Sequence, residues 1–272
     1  MWFFSKKTTI AASGILQGAV DHHSHILPGV DDGVETMAEA LRILAIYEAL
    51  GIKELWLTPH IMEDIPNSPL KLQARFEELK AAYTGNITLH LAAEYMIDNH
   101  LRKLLQEIKN CPSCVRGASN AVAEGDKTTE PQGEISLNSG DPSLLPIGNN
   151  SKHILVETSY YNAPMRMNDT LQQIKSLGYF PLLAHPERYM YLDNADYAKL
   201  HSQGVRFQLN LASLAGGYGK AVKKKAEWLL TNDLYSVAGT DLHCEDAIEF
   251  ITKCKLSKQA VEQVERLLHN CI

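Results

Sequence analysis

Seven short apolar runs, each leading through a polar or charged cluster into a helical pattern, constrain this chain more than any other feature. The runs are Gly18–His22, Ile52–Leu57, Ile87–Ala92, His153–Val156, Phe180–Ala184, Phe207–Leu211 and Tyr235–Ala238. Between them lie amphipathic stretches such as Met37–Leu50, Leu70–Tyr83, Thr170–Leu177 and Ala221–Leu230. Strands that alternate with helices build parallel β-α-β units, because parallel neighbours need a crossover long enough to hold a helix. Seven such units within 272 residues predict an α/β barrel, with a doubly wound open sheet as the alternative.

One segment departs from this grammar. From Cys111 to Ser143 the chain is rich in Gly, Ser, Asn and Pro and has no apolar period. It reads as a flexible surface insertion at about 111–143 in a single domain spanning 1–272. The Cys111-Pro-Ser-Cys114 pair lacks the second ligand pair of a structural zinc site and the strand-to-helix setting of a thioredoxin motif, so it reads as inert. Five cysteines in irregular spacing do not make a secreted disulfide framework and suit a reducing cytoplasm. No cysteine is followed by Arg after five intervening residues, which excludes a thiol-phosphatase loop. The apolar start Met1–Phe4 is shorter than a signal peptide, and no run approaches the roughly 20 residues of a membrane span. The expectation is a soluble, cytoplasmic protein without membrane insertion. A net charge of −6 argues against nucleic acid as a partner.

Apolar run after apolar run ends in residues that bind metal ions. The first gives Asp21-His22-His23-Ser24-His25 and continues to Asp31-Asp32-Gly33. The second ends in Thr58-Pro59-His60, the third in Ala93-Glu94, the fourth in Glu157-Thr158 and the fifth in His185-Pro186-Glu187-Arg188. The seventh ends in Gly239-Thr240-Asp241-Leu242-His243. His23 and His25 are two apart and leave one face of a strand, where two imidazoles can grip one ion. In a barrel all these strand ends meet on one face. Histidine with carboxylate and no thiolate suits manganese, iron or zinc. His90, His100, His153, His201 and His269 stand outside these clusters and read as structural.

These residues resemble the polymerase and histidinol phosphatase (PHP) superfamily, and more narrowly the bacterial PHP protein-tyrosine phosphatases of capsule and exopolysaccharide systems. The resemblance rests on Asp21–His25 with its Ile26-Leu27-Pro28-Gly29-Val30-Asp31-Asp32-Gly33 continuation, Leu57–His60, Glu94, Glu157, His185–Arg188 and Asp241–His243. It covers roughly Gly18 to Leu268 apart from the insertion. It implies a distorted TIM-like (β/α)7 barrel, the PHP fold, carrying three divalent metal ions, with manganese favoured over iron or zinc. One ion would take His23, His25, Glu94 and Asp241, a second Glu94, Glu157 and His185, and a third Asp32, His60 and His243. Asp21 would orient a ligand histidine from behind. After His243 the chain reads Cys244-Glu245-Asp246 where the family often places a basic residue, so a second phosphate clamp is unassigned.

Such a cluster activates water near neutral pH and neutralises phosphate oxygens. Arg188, three residues after His185, is placed to fork two of those oxygens. The function implied is hydrolysis of phosphotyrosine, with the Tyr-rich tail of a bacterial tyrosine kinase as the partner. A small-metabolite phosphatase such as a histidinol phosphatase keeps the same ligands and changes only the pocket walls. A nuclease on the same metals is disfavoured by the negative charge, and a non-catalytic binding protein by the complete ligand set with Arg188.

Overall fold

The computed structural model describes residues 7–111 and 142–272, so the insertion expected at 111–143 lies almost wholly outside the described residues. Eleven strands occur among them. They are β1 (Thr8–Thr9), β2 (Val20–Ser24), β3 (Glu54–Leu57), β4 (His60–Ile61), β5 (Thr88–Leu91), β6 (Glu94–Met96), β7 (His153–Glu157), β8 (Phe180–Ala184), β9 (Arg206–Asn210), β10 (Val237–Gly239) and β11 (Lys255–Leu256). β1 and β11 pair antiparallel, apart from the rest. The other nine run parallel in two arcs, ordered β2-β3-β5 and β10-β9-β8-β7-β6-β4.

The arcs belong to one curled sheet. β3 and β4 are halves of one extended run broken at Thr58-Pro59, where Pro59 has no N–H to give to a ladder. β5 and β6 are halves of another, broken at Ala92-Ala93. The first halves continue the ladder from β2, and the second halves continue it into β7, with His60 opposite Glu94 and Glu94 opposite Leu155. Counted this way there are seven strand positions, as the seven apolar runs predict. The seam between the first and last is thin. Asp241 N donates to His23 O at 2.7 Å, His25 N donates to Leu242 O at 2.9 Å, and Ser24 meets Leu242 in an isolated parallel bridge. The architecture is therefore a curled, incompletely closed parallel barrel flanked by helices.

Helix boundaries follow from local chemistry. The helix Met37–Leu50 starts where the Thr36 hydroxyl accepts from Glu39 N and stops at Gly51, whose φ of 90° a side chain would resist. Pro69–Ala82 starts with Ser68 as the cap and Pro69 in the first turn, where a missing N–H costs nothing. Two short helices that the periodicity does not predict, Leu211–Ala215 and Asp246–Thr252, follow β9 and β10.

Side chains alternate along each strand. Ile154, Val156, Leu183, Phe207 and Leu209 face the helices and belong to the large core, while Val20, Trp56, Leu155, Leu182 and Val237 form a second apolar cluster that plugs the lower interior of the barrel. Fully burying one such side chain is worth roughly 1.5–3 kcal/mol. Alternation from Val20 would bring His22 and Ser24 inward. A register shift between Asp21 and Ser24 changes the phase, so that His23 and His25 also reach the interior ligand cluster.

Candidate metal centre

Above the apolar plug, the strand ends deliver the predicted residues to one place. His23 and His25 come from the end of β2, His60 from β4, Glu94 from β6, Glu157 from β7, His185 from the end of β8, and Asp241 and His243 from the turn after β10. Three groups of potential ligand atoms each lie within 4.8 Å of one another: His25, Asp32, His60 and His243; His23, Glu94, His185 and Asp241; and His60, Glu94 and Glu157. The site is graded in depth. Glu94, His23 and His25 are fully buried, whereas the side chains of His243 and Asp32 are 33% and 66% exposed at the mouth.

The hydrogen bonds fix which nitrogens point inward. His23 Nδ1 lies 3.0 Å from Gln208 Oε1, and His25 Nδ1 lies 2.8 Å from Asp31 Oδ2, so each imidazole carries its proton on Nδ1. The two Nε2 atoms then face each other at 3.1 Å, lone pair toward lone pair, and both lie 3.2–3.4 Å from Glu94 Oε2 and 3.3 Å from Asp241 Oδ1. Four electron-rich atoms converge on one point, an arrangement that a cation resolves. Glu94 Oε2 makes no hydrogen bond, and neither do two further buried atoms of the site, His60 Nδ1 and His185 Nδ1. His60 Nδ1 nevertheless stands 3.2 Å from Glu94 Oε2 and 3.1 Å from Glu157 Oε1. Orphaned buried donors and acceptors are rare, and three of the six among the described residues lie where the ligand atoms meet. The residues present fit divalent cations.

Electrostatics point the same way. Burial would pull the His23 imidazole down, but the carboxylates of Glu94 and Asp241 outweigh it and lift it to about 9. Burial likewise opposes the charges of Glu94 and Asp241, yet the surrounding imidazoles hold both carboxyls well below their usual range. The cluster stabilises positive charge at its centre, whether brought by protons or by metal ions.

The backbone is bent to make this possible. His185 and Asp241 adopt left-handed conformations, with φ of 33° and 53°, which cost of order 1 kcal/mol or more for a residue with a side chain. Gly33 and Gly239 are needed for a different reason. A Cβ on Gly33 would overlap the carbonyl of His25, and one on Gly239 would come within 2.6 Å of His23 Cβ. The glycine of the Asp-Asp-Gly motif thus lets the loop close over a ligand histidine.

Arg188 borders the same cavity, whose volume is about 370 Å³. Its guanidinium is stacked between Tyr160 and Tyr218, 4.4 and 4.1 Å from the ring centroids. Nη1 donates to Asp241 Oδ2 at 2.6 Å, and Nη2 donates to the Tyr160 hydroxyl. Asp241 Oδ2 also accepts from Asn210 Nδ2 at 2.8 Å, so one oxygen of Asp241 is held by protein donors while the other faces the imidazoles.

One expectation changes. Asp21 does not touch a histidine ring. Its carboxylate accepts from the backbone N–H of His23 and Thr240 and from the hydroxyls of Thr240 and Tyr47, tying β2 to β10. The residue behind a histidine ring is Asp31, ten positions later, which also accepts from His60 N at 3.0 Å. The groups overlap the expected ligand sets: His60 reaches Glu94 and Glu157 as well as Asp32, and His185 reaches Glu94 and Glu157 while also grouping with His23 and Asp241. The sixth apolar run, to which no chemistry was assigned, supplies Gln208 and Asn210. Its period-2 spacing, Arg206, Gln208 and Asn210 on one face, was the available signal.

Comparison with known proteins agrees with this geometry. The sequence profile of the family described as capsular polysaccharide synthesis, CpsB/CapC, matches residues 19–119 and 137–266. The tyrosine-protein phosphatase YwqE of Bacillus subtilis is 24% identical over 266 residues, covering 92% of each chain. The tyrosine-protein phosphatase CpsB of Streptococcus pneumoniae is 25% identical over 237 residues, covering 84% of each. A solved structure from work on these two, described as unique metal-dependent tyrosine phosphatases, superposes with a TM-score of 0.66 at 22% identity, over 92% of this chain and 94% of the other. The phosphotriesterase homology protein of Escherichia coli, solved with phosphate in its active site, reaches a TM-score of 0.50 at 12% identity, over 93% of this chain and 99% of the other. With a profile match across most of its length and three ligand clusters at its strand ends, the chain belongs to the CpsB/CapC family of capsular polysaccharide synthesis.

Proposed function

We propose that the chain is a metal-dependent protein-tyrosine phosphatase. In this reading His23, His25, Asp32, His60, Glu94, Glu157, His185, Asp241 and His243 hold three divalent cations, manganese first among them. The observation that carries it is the convergence of His23 Nε2, His25 Nε2, Glu94 Oε2 and Asp241 Oδ1 on one buried point. Relatives named as tyrosine phosphatases along nearly the whole chain support it. Bound cations would supply hydroxide at neutral pH and charge to neutralise the phosphate oxygens.

The chain's own residues supply the rest. Gln208 and Asp31 keep protons on the outward nitrogens of His23 and His25. Arg188 has five donors, and those not engaged by Asp241 and Tyr160 remain to fork two phosphate oxygens. Tyr160 and Tyr218 hold the guanidinium plane in place. A tyrosyl leaving group, with a conjugate-acid pKa of about 10, departs with little protonation, whereas an alkoxide needs a proton donor.

The partner we infer is the Tyr-rich tail of a bacterial tyrosine kinase that regulates capsule or exopolysaccharide synthesis, met in the cytoplasm. No helix among the described residues is long and apolar enough to cross a membrane. We also take 1–272 as one PHP domain with an insertion at about 111–143; the family profile is interrupted between 119 and 137, which supports an added segment there.

The test compares kcat/KM on phosphotyrosine peptides, phosphoserine peptides and histidinol phosphate with manganese present. Phosphotyrosine should win, chelation should abolish turnover, and manganese should restore it better than magnesium. A tenfold advantage for histidinol phosphate would replace this reading with a metabolite phosphatase on the same metals.

A further inference from the structure

The cavity that holds Glu94, Arg188 and Asp241 has a wall that neither metal binding nor phosphate binding explains. It is lined as well by Ala212, Ala247 and Ile251, beside the Arg188-stacked ring of Tyr218. Ala212 lies on the short helix after β9, and Ala247 and Ile251 lie on the one after β10. Four residues apart, Ala247 and Ile251 share a helix face. The two helices pack together, so the three side chains form one apolar surface. Two of the three end at Cβ and leave open space in front of them. A phosphate dianion gains nothing from such a surface, since it is held by cations and donors. The volume, about 370 Å³, is at the small end of ligand sites and suits a phosphate with one ring rather than an extended nucleotide.

We propose that Ala212, Tyr218, Ala247 and Ile251 seat the aryl ring of a phosphate monoester whose phosphate lies between the metal ligands and Arg188. The inference rests on the phosphatase reading and deepens it, naming the residues that select aryl over alkyl esters. Tyr218 is the hinge between the two halves of the cavity. One face of its ring meets the Arg188 guanidinium, its hydroxyl is 3.4 Å from Asn210 Nδ2, and at 40% exposure it stands where an incoming ring must pass. An aromatic edge and alanine methyls offer the flat, apolar contact that a phenyl group fills and a short alkyl chain does not.

Phenylphosphonate and methylphosphonate carry the same charged head, resist hydrolysis and differ only in the ring. Titrated calorimetrically into manganese-loaded protein, phenylphosphonate should bind about tenfold more tightly. Ala247→Leu fills the seat and should bring the two affinities within about twofold, with methylphosphonate affinity and manganese content unchanged. Ala212→Val is the second variant and should act in the same direction. Equal affinities in the wild-type protein, or both phosphonates weakened together by Ala247→Leu, would overturn the seat. A protein that prefers phenylphosphonate but hydrolyses no phosphotyrosine peptide would lose the phosphatase reading and keep the seat. Turnover without aryl preference would remove the seat alone.

Discussion

Arg188 Nη1 lies 2.6 Å from Asp241 Oδ2, so the side chain proposed to grip phosphate is itself gripped by a side chain proposed to hold metal. Asn210 Nδ2 contacts the same oxygen at 2.8 Å, which leaves Asp241 anchored if Arg188 is removed. Arg188→Ala should therefore keep its metal while kcat/KM falls roughly ten- to a thousandfold, the scale of a lost charge-assisted clamp. Metal analysis alongside kinetics separates the two roles. Kinetics equal to wild type would reduce Arg188 to a structural ion pair.

Asp31 and Gln208 hold His25 and His23 by their outward nitrogens. Asp31→Ala and Gln208→Leu should each weaken manganese binding by about 10–100-fold, the usual consequence of removing a partner behind a ligand histidine. Chelator competition measures this without reference to turnover. Affinity equal to wild type in both variants would mean that packing alone orients the rings.

Asp21 offers a contrast. It is buried and touches backbone and hydroxyl groups, and its loss leaves several buried donors without an acceptor. Asp21→Ala should cost about 3 kcal/mol or more of folding stability. A urea-unfolding midpoint close to wild type would show that water replaces the carboxylate.

His153 starts β7 with both ring nitrogens buried and unpaired, and burial aided by Arg206 pushes its pKa down to about 4. Burial does the same to His22, which also falls to about 4. Between pH 6.5 and 4 the unfolded chain binds protons that the folded chain refuses. Stability from these groups is complete above pH 6.5 and drains away as pH falls toward 4, by at most about 1.4 kcal/mol per pH unit for each. His153→Leu should flatten the acid limb of a stability–pH curve recorded over that window. A limb of the same steepness would assign the loss to other groups.

Much of this was written in the sequence because the chemistry sits where periodicity ends. Each apolar run that stops at His or a carboxylate marks a strand end, and a barrel gathers strand ends; His60, Glu94, Glu157 and His185 follow from that rule. Other features were hidden for physical reasons. Gln208 and Asn210 sit within an apolar run and carry no ligand signature, since their work is to bond His23 and Asp241. Asp21 adjoins His22 in the sequence yet meets no ring, whereas Asp31, six residues past His25, does, because the loop after β2 folds it back onto that histidine. The breaks at Thr58-Pro59 and Ala92-Ala93 turn two expected strands into four short ones, a geometry that local propensity does not encode.

The thin seam between β2 and the turn after β10 has a consequence for how the molecule holds together. The hydrogen bond from Thr240 N to Asp21 Oδ1 joins residues 219 positions apart. His23 and Asp241 lie next to that bond on either side of the seam. A cation held by both would be a cross-link over most of the chain, comparable in reach to a disulfide closing a very long loop, for which chain entropy alone suggests about 5 kcal/mol. Binding of a cation there would reinforce a seam that hydrogen bonds already close, and would resist its opening.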